Sequence, residues 1–188
     1  MRSLLGVLFV VAVVSTPTVR GEDFKLETGF KLLFNGKDLT GWKEATYGKQ
    51  AERTALDGKT ESATKRFIVD KGIITIDEKA KGDLVIFTAD EIAKDATIRF
   101  DFLAASDKCN NDLLWRGMKF DIKPAEVTGA KVGEWNALEI VVTGKKAEFK
   151  CNGQAVKTLD VKTDSSAFGI RAEAGPIQIK NFRVKTGS

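Results

Sequence analysis

The run Asn110-Asn-Asp-Leu-Leu-Trp-Arg-Gly117, continued by Met118-Lys-Phe-Asp-Ile122, alternates charge and hydrophobicity on a period of two. If Gly117-Met118 forms a two-residue type II′ turn, Asp112, Leu114, Arg116, Lys119, Asp121 and Lys123 share one sheet face. The other face takes Leu113, Trp115, Phe120 and Ile122, a set that belongs in a core. That register puts Arg116 opposite Lys119, Leu114 opposite Asp121 and Asp112 opposite Lys123. Arg171 and Glu173, two residues apart, also share a face. Carboxylates beside a guanidinium or an ammonium are the parts of a general base and of an oxyanion support. On pattern alone, a solvated sheet face is the commoner explanation. The chain has no histidine, so a metal would need oxygen ligands such as Asp112, Asp121 and Glu173, a Ca²⁺-like rather than a Zn²⁺-like set. EF-hand spacing is absent, and no cofactor is expected. Serine-nucleophile motifs, Gly-rich phosphate loops and Cys-x-x-Cys pairs are missing as well.

The elements that must position these residues are strands. Ile98, Phe100 and Phe102 alternate with polar neighbours, as do Leu138, Ile140 and Val142, each pattern giving a half-buried antiparallel strand. Asn152-Gly153 between residues 148–151 and 155–159 predicts a type I′ hairpin. Lys71-Gly72 separates Phe67–Val69 from Ile73–Ile76 in the same manner. Residues 44–65 read as a long polar loop or a short helical excursion, and Thr88-Ala-Asp-Glu-Ile-Ala93 as a capping residue with one helical turn. With turn signals at short intervals and no sustained helical period, the expectation is an all-β antiparallel sandwich.

Met1-Arg2 and the apolar residues 4–14 have the form of a signal peptide, with Val19 and Gly21 small enough for a cleavage site and a mature start near Glu22. Removal of residues 1–21 leaves 167 of the 188 residues, one domain's worth, and takes the net charge from +4 to +2. Lysines and carboxylates are interspersed, so neither a nucleic-acid stripe nor a membrane contact after cleavage is expected. Export permits a bridge between Cys109 and Cys151. Cys151 is in phase with the inward-facing Ala147 and Phe149, whereas Cys109 sits in a polar run, and spacing leaves the bridge open.

Three segments in order, Gly29-Phe-Lys-Leu-Leu-Phe-Asn-Gly-Lys-Asp-Leu-Thr-Gly-Trp42, Gly133-Glu-Trp-Asn136 and Gly175-Pro-Ile-Gln-Ile-Lys-Asn-Phe-Arg-Val184, resemble the 3-keto-disaccharide hydrolase family. The resemblance implies a concanavalin-like β-sandwich (jelly roll) over residues 22–188 whose concave sheet face binds carbohydrate, with Trp42 and Trp135 as core anchors. The run from Asn110 to Gly117 resembles the family's Asn-containing strand ending in Arg-Gly, and the active carboxylate just beyond it falls nearest to Asp121. Arg171 and Glu173 stand where many members have a Gln and a nearby His. The family is described as cleaving glycosides already oxidised at C3, whose ketone acidifies the C2 proton. Asp121 or Glu173 is then the expected base, Arg116, Arg171 or Lys119 the oxyanion support, and Asn110, Asp112, Lys119 and Arg171 the expected substrate contacts. Ordinary glycoside hydrolysis would instead need two facing carboxyls, drawn from Asp112, Asp121 and Glu173. The alternative is a non-catalytic carbohydrate-binding or cell-surface interaction module.

Overall fold

The computed structural model describes residues 24–93 and 95–187; the signal segment read at residues 1–21 lies outside them. In chain order the first strands are β1 (Lys31–Leu32), β2 (Trp42–Thr46), β3 (Thr54–Ala55), β4 (Phe67–Asp70), β5 (Ile73–Ile76), β6 (Leu84–Thr88), β7 (Ile92–Ala93) and β8 (Ala96–Ala104). They are followed by β9 (Asn110–Trp115), β10 (Met118–Ile122), β11 (Asn136–Thr143), β12 (Lys146–Cys151), β13 (Gln154–Asp160), β14 (Ser165–Ser166), β15 (Gly169–Ala174) and β16 (Ile177–Thr186). An eight-stranded sheet has the order β13-β12-β11-β8-β16-β5-β4 with β1 added to β16, and a six-stranded sheet has the order β10-β9-β15-β6-β2-β3. A separate two-stranded pair joins β14 with β7. Every pairing is antiparallel. The fold is the all-β, concanavalin-like sandwich expected from the alternation.

The core lies between the sheets, filled by the inward half of each alternating strand. Ile98, Phe100 and Phe102 of β8 are buried with Leu138, Ile140 and Val142 of β11, because strands of period two present one face per parity. Aromatic rings lock the layers together. Phe182 of the larger sheet meets Phe100 at 5.0 Å, Phe168 at 5.3 Å and Trp42 of the smaller sheet at 5.5 Å, while Phe120 stacks on Phe149 at 4.3 Å. Trp42 also donates its indole N–H to the Leu33 carbonyl at 2.9 Å, which satisfies the only polar atom of a completely buried ring.

Four local expectations are corrected. Residues 88–93 form no helical turn: Thr88 ends β6, and its hydroxyl donates to the Asp90 carbonyl and accepts from the Phe168 N–H, so it serves the sheet edge. Residues 44–65 contain β3 and the end of β2, joined by turns. Trp135 is half-buried rather than a core anchor, with the Lys180 ammonium 4.0 Å above its ring. Cys109 is buried despite its polar neighbours, and both it and Cys151 are free thiols. The Cys109 thiol donates to the Pro176 carbonyl, and burial pushes Cys151 up to about 11.

The residues preceding β1 are fastened to the outer face of the larger sheet. Glu27 accepts two hydrogen bonds from Arg183, at 2.6 and 2.7 Å, and lies 3.4 Å from Arg99. The rings of Phe24 and Phe30 lie against the same guanidinium groups. The Arg183 hydrogen bonds, against the cost of burial, hold the Glu27 carboxyl down at about 2, from an ordinary value of 4.5. A depressed folded-state value contributes stability that is present above the unfolded value and lost as pH falls through the folded one. Acid should therefore loosen this segment between about pH 4.5 and pH 2. Glu27→Gln should remove that step from an acid titration followed by hydrogen exchange at residues 24–32.

Candidate functional site

The six-stranded sheet turns an unusual face to the outside. Its register lines up Ala45, Val85, Arg171, Asp112 and Asp121 in one row across β2, β6, β15, β9 and β10. The next row is Lys43, Phe87, Gly169, Leu114 and Lys119. The first row ends in charge, and the second is mostly apolar.

The hairpin β9–β10 supplies half of the charged group, through a turn different from the one expected. Arg116 and Gly117 are the two turn residues, with φ of 48° and 75°, which is type I′ geometry. Asp112 therefore faces Asp121 and Leu114 faces Lys119. Moving a two-residue turn by one position shifts each partner by two, one full side-chain period, so the faces survive although the pairs change. Trp115 and Phe120 are buried in the core as expected. Arg116 is displaced from the face into the turn. There its N–H donates to Ser166 Oγ and its Nε to the Thr163 carbonyl, both at 2.7 Å, while Lys162 N–H donates back to its carbonyl at 3.0 Å. These bonds explain a left-handed conformation at a non-glycine residue.

Arg171 of β15 is the hub. It binds Asp83 through Nε and Nη2, both at 2.8 Å, and its Nη1 reaches Asp112 at 2.8 Å and Glu173 at 3.0 Å. The Tyr47 ring covers the guanidinium at 3.7 Å. Lys119 adds a second cation, 2.7 Å from Asp121 and 3.2 Å from Asp112. Thus Asp83, Asp112, Asp121 and Glu173 surround Arg171 and Lys119, an excess of negative charge. The Asp112 side chain is 0% exposed, against 29% for Asp121 and 32% for Glu173. Burial, reinforced by the hydrogen bond with Asp121, raises Asp112 despite Arg171 and Lys119. Burial also opposes ionisation of Asp121, but the hydrogen bonds with Lys119 and Asp112 outweigh it and hold Asp121 below the usual range. The Asp121 hydrogen bond in turn raises Lys119 against its own burial. Within the pair, ionisation is easier at the partly exposed Asp121 than at the enclosed Asp112.

Of the sequence-predicted residues, Asp112, Lys119, Asp121, Arg171 and Glu173 come together. Asn110 sits one step along β9, opposite Ala174, with a buried Oδ1 that has no hydrogen-bond partner. Asp83, Tyr47 and Arg66 escaped notice. Arg66 is buried and donates to the carbonyls of Asp77, Ala80 and Glu173, fixing the strand that carries Glu173. Asn111 fills the bulge in β15 by accepting from the Glu173 N–H and donating to the carbonyls of Ala174 and Gly175. No spacing in the sequence marks these contacts, since each joins segments far apart in the chain. Among the described residues no acid or thiol group of three or more is arranged to hold a metal ion; Arg171 occupies the centre of the carboxylates.

The uncharged part of this face has its own small cluster of Ala45, Val85, Phe87 and Ala167, and Arg53 of the loop after β2 lies over the Phe87 ring. Gly169 is required there: a Cβ would come within 2.6 Å of the Phe87 ring.

Several solved structures share this architecture. A putative glycosyl hydrolase from Parabacteroides distasonis is 16% identical, with 85% of this chain and 94% of that chain aligned at a TM-score of 0.63. A carbohydrate-binding module from Bacillus subtilis is 12% identical, aligned over 79% of this chain and 97% of its own at a TM-score of 0.52. An alginate lyase of polysaccharide lyase family 7 is 14% identical over 78% and 94% of the two chains, at 0.50. Identities this low speak to the fold. No curated protein matches the sequence. The model of the 3-keto-alpha-glucoside-1,2-lyase-like domain matches residues 29–126, from the Gly29 motif through the Asp112–Asp121 hairpin and over more than half of the chain, so the protein belongs to that family.

Proposed function

We propose that this protein is an exported carbohydrate-active enzyme that cleaves glycosides already oxidised at C3, using the outer face of the six-stranded sheet. The observation that carries the reading is Asp121: an ionised, partly exposed carboxylate, tied to Lys119 and backed by the enclosed Asp112. In the reaction, Asp121 takes the C2 proton and the electron pair moves onto the C3 oxygen as an enolate. Lys119 donates to that oxygen. Collapse of the enolate expels the anomeric substituent, which leaves with a proton as an alcohol, and water then adds at C1 while a proton returns to C2. Arg171 is saturated by Asp83, Asp112 and Glu173, so it positions the acids rather than holding the oxyanion, and Arg116 takes no part in the chemistry.

Direct two-carboxyl hydrolysis by Asp112 and Asp121 is disfavoured. It needs carboxyls about 5–9.5 Å apart with the glycosidic bond between them, whereas these two face each other across the β9–β10 ladder and share the Lys119 ammonium at 3.2 and 2.7 Å, and Asp112 is enclosed. A simple binding module is also disfavoured, because Trp42 and Trp115 lie in the core and the exposed ring of this face, Tyr47, is stacked on the Arg171 guanidinium within the charged cluster. The test is turnover of a 3-keto-glucoside beside the same glucoside unoxidised. Release from the oxidised compound alone is expected. Cleavage of the unoxidised glucoside would contradict the mechanism, and glycan binding without turnover would favour the binding module.

A further inference from the structure

A groove of about 340 Å³ opens beside the carboxylates and shares Lys119 with them. Its apolar lining is the half-buried Leu114, with Phe87 beneath Arg53 and the nearly buried Met118, and the loop bearing Tyr47, Gln50 and Arg53 borders it. Its lining includes three cations, Arg53, Arg116 and Lys119, and no carboxylate. Charge is therefore sorted along this face, with acids at one end and an acid-free basic groove at the other.

Arg53 distinguishes the groove from ordinary solvated surface. Its guanidinium lies 4.0 Å above the Phe87 ring and its Nε donates to the Gln50 carbonyl at 2.9 Å. Among the described residues it has no carboxylate partner, unlike Arg171, which holds Asp83, Asp112 and Glu173, and Arg183, which holds Glu27. Stacking on an aromatic ring leaves the in-plane donors of a guanidinium available, and two such donors fit one carboxylate.

We propose that this groove holds the leaving group of the glycoside and selects for a carboxylate on a flat apolar body, an aryl carboxylate, with Arg53 as the specificity-determining residue. The inference rests on the reading of the neighbouring acids as a 3-keto-glycoside lyase site. The apolar surface takes the ring of the leaving group, and Arg53 takes its charge. The reverse orientation would set the ligand's carboxylate against Asp83, Asp121 and Glu173, a like-charge contact that excludes it. The oxidised sugar is thereby directed onto Asp121.

The experiment compares kcat/KM for the 3-keto-glucosides of 4-hydroxybenzoate and of the neutral 4-hydroxybenzamide, in the wild type and in Arg53→Met, and measures binding of free 4-hydroxybenzoate by calorimetry. The wild type should prefer the carboxylate by about five- to tenfold. That ratio should fall toward one in Arg53→Met and at high salt, Arg53→Lys should keep part of it, and free 4-hydroxybenzoate should bind the wild type more tightly than Arg53→Met. Turnover of both glucosides without preference, and without Arg53-dependent binding, overturns the groove assignment and leaves the lyase reading intact. Arg53-dependent binding of 4-hydroxybenzoate without turnover of either glucoside supports the groove and overturns the lyase reading. Absence of both overturns both.

Discussion

Asp121→Asn is expected to lower turnover of a 3-keto-glucoside by roughly 10²-fold or more, the usual scale for a lost general base, while the protein stays folded. The amide keeps the shape and cannot take the C2 proton. Little stability is at stake, because the lost partner is the half-exposed Lys119, 2.7 Å away, and exposed ion pairs contribute about 0–1 kcal/mol. The substitution also takes away the hydrogen-bonded neighbour that helps to raise Asp112, so Asp112 should titrate at lower pH in the variant. Steady-state kinetics with a urea denaturation curve checks both halves: an inactive variant with an unchanged midpoint fits the base role, and a fully active one refutes it.

Arg171→Met should have the largest effect on stability, about 3–5 kcal/mol, the scale for removing one partner of a buried ion pair. Asp112 is completely enclosed and would keep only Lys119 at 3.2 Å as a counter-charge, while Asp83 and Glu173 lose the cation between them. Lysine should not rescue, since one ammonium cannot reproduce the two-point grip on Asp83 and the third nitrogen's contact with Asp112. The pH dependence gives a second check. Asp112 has a raised folded-state value, so its contribution to stability is fully present below the unfolded value of 3.8 and is lost as pH rises through the folded value. The deficit of Arg171→Met should accordingly shrink toward acid, where Asp112 carries its proton. Adding Asp112→Asn, which stays neutral at every pH, should recover part of the loss at neutral pH.

The alternating strands and both faces of the β9–β10 hairpin were legible in the sequence, because a period of two survives any even shift of register. The turn itself was not. Gly117-Met118 has the residue order of a type II′ turn, and Ser166, Thr163 and Lys162, almost fifty residues further on, help hold Arg116 in the left-handed conformation that wins. The site divides in the same way. Asp112, Lys119, Asp121, Arg171 and Glu173 shared predicted faces and do share one, whereas Asp83, Tyr47 and Arg66 join through contacts between distant segments that no local pattern encodes. Phe87 faces outward on the same sheet and lies beneath Arg53 of the loop after β2, another contact that no local pattern encodes.

The central claim, that Asp121 removes the C2 proton before the glycosidic bond breaks, is tested most directly by deuterium at C2 of the substrate. Turnover of the C2-deuterated 3-keto-glucoside should be slower than that of the protiated compound, with deuterium lost from the released sugar in water faster than it exchanges without enzyme. Equal rates for the two substrates, with deuterium retained at C2 of the product, would contradict it.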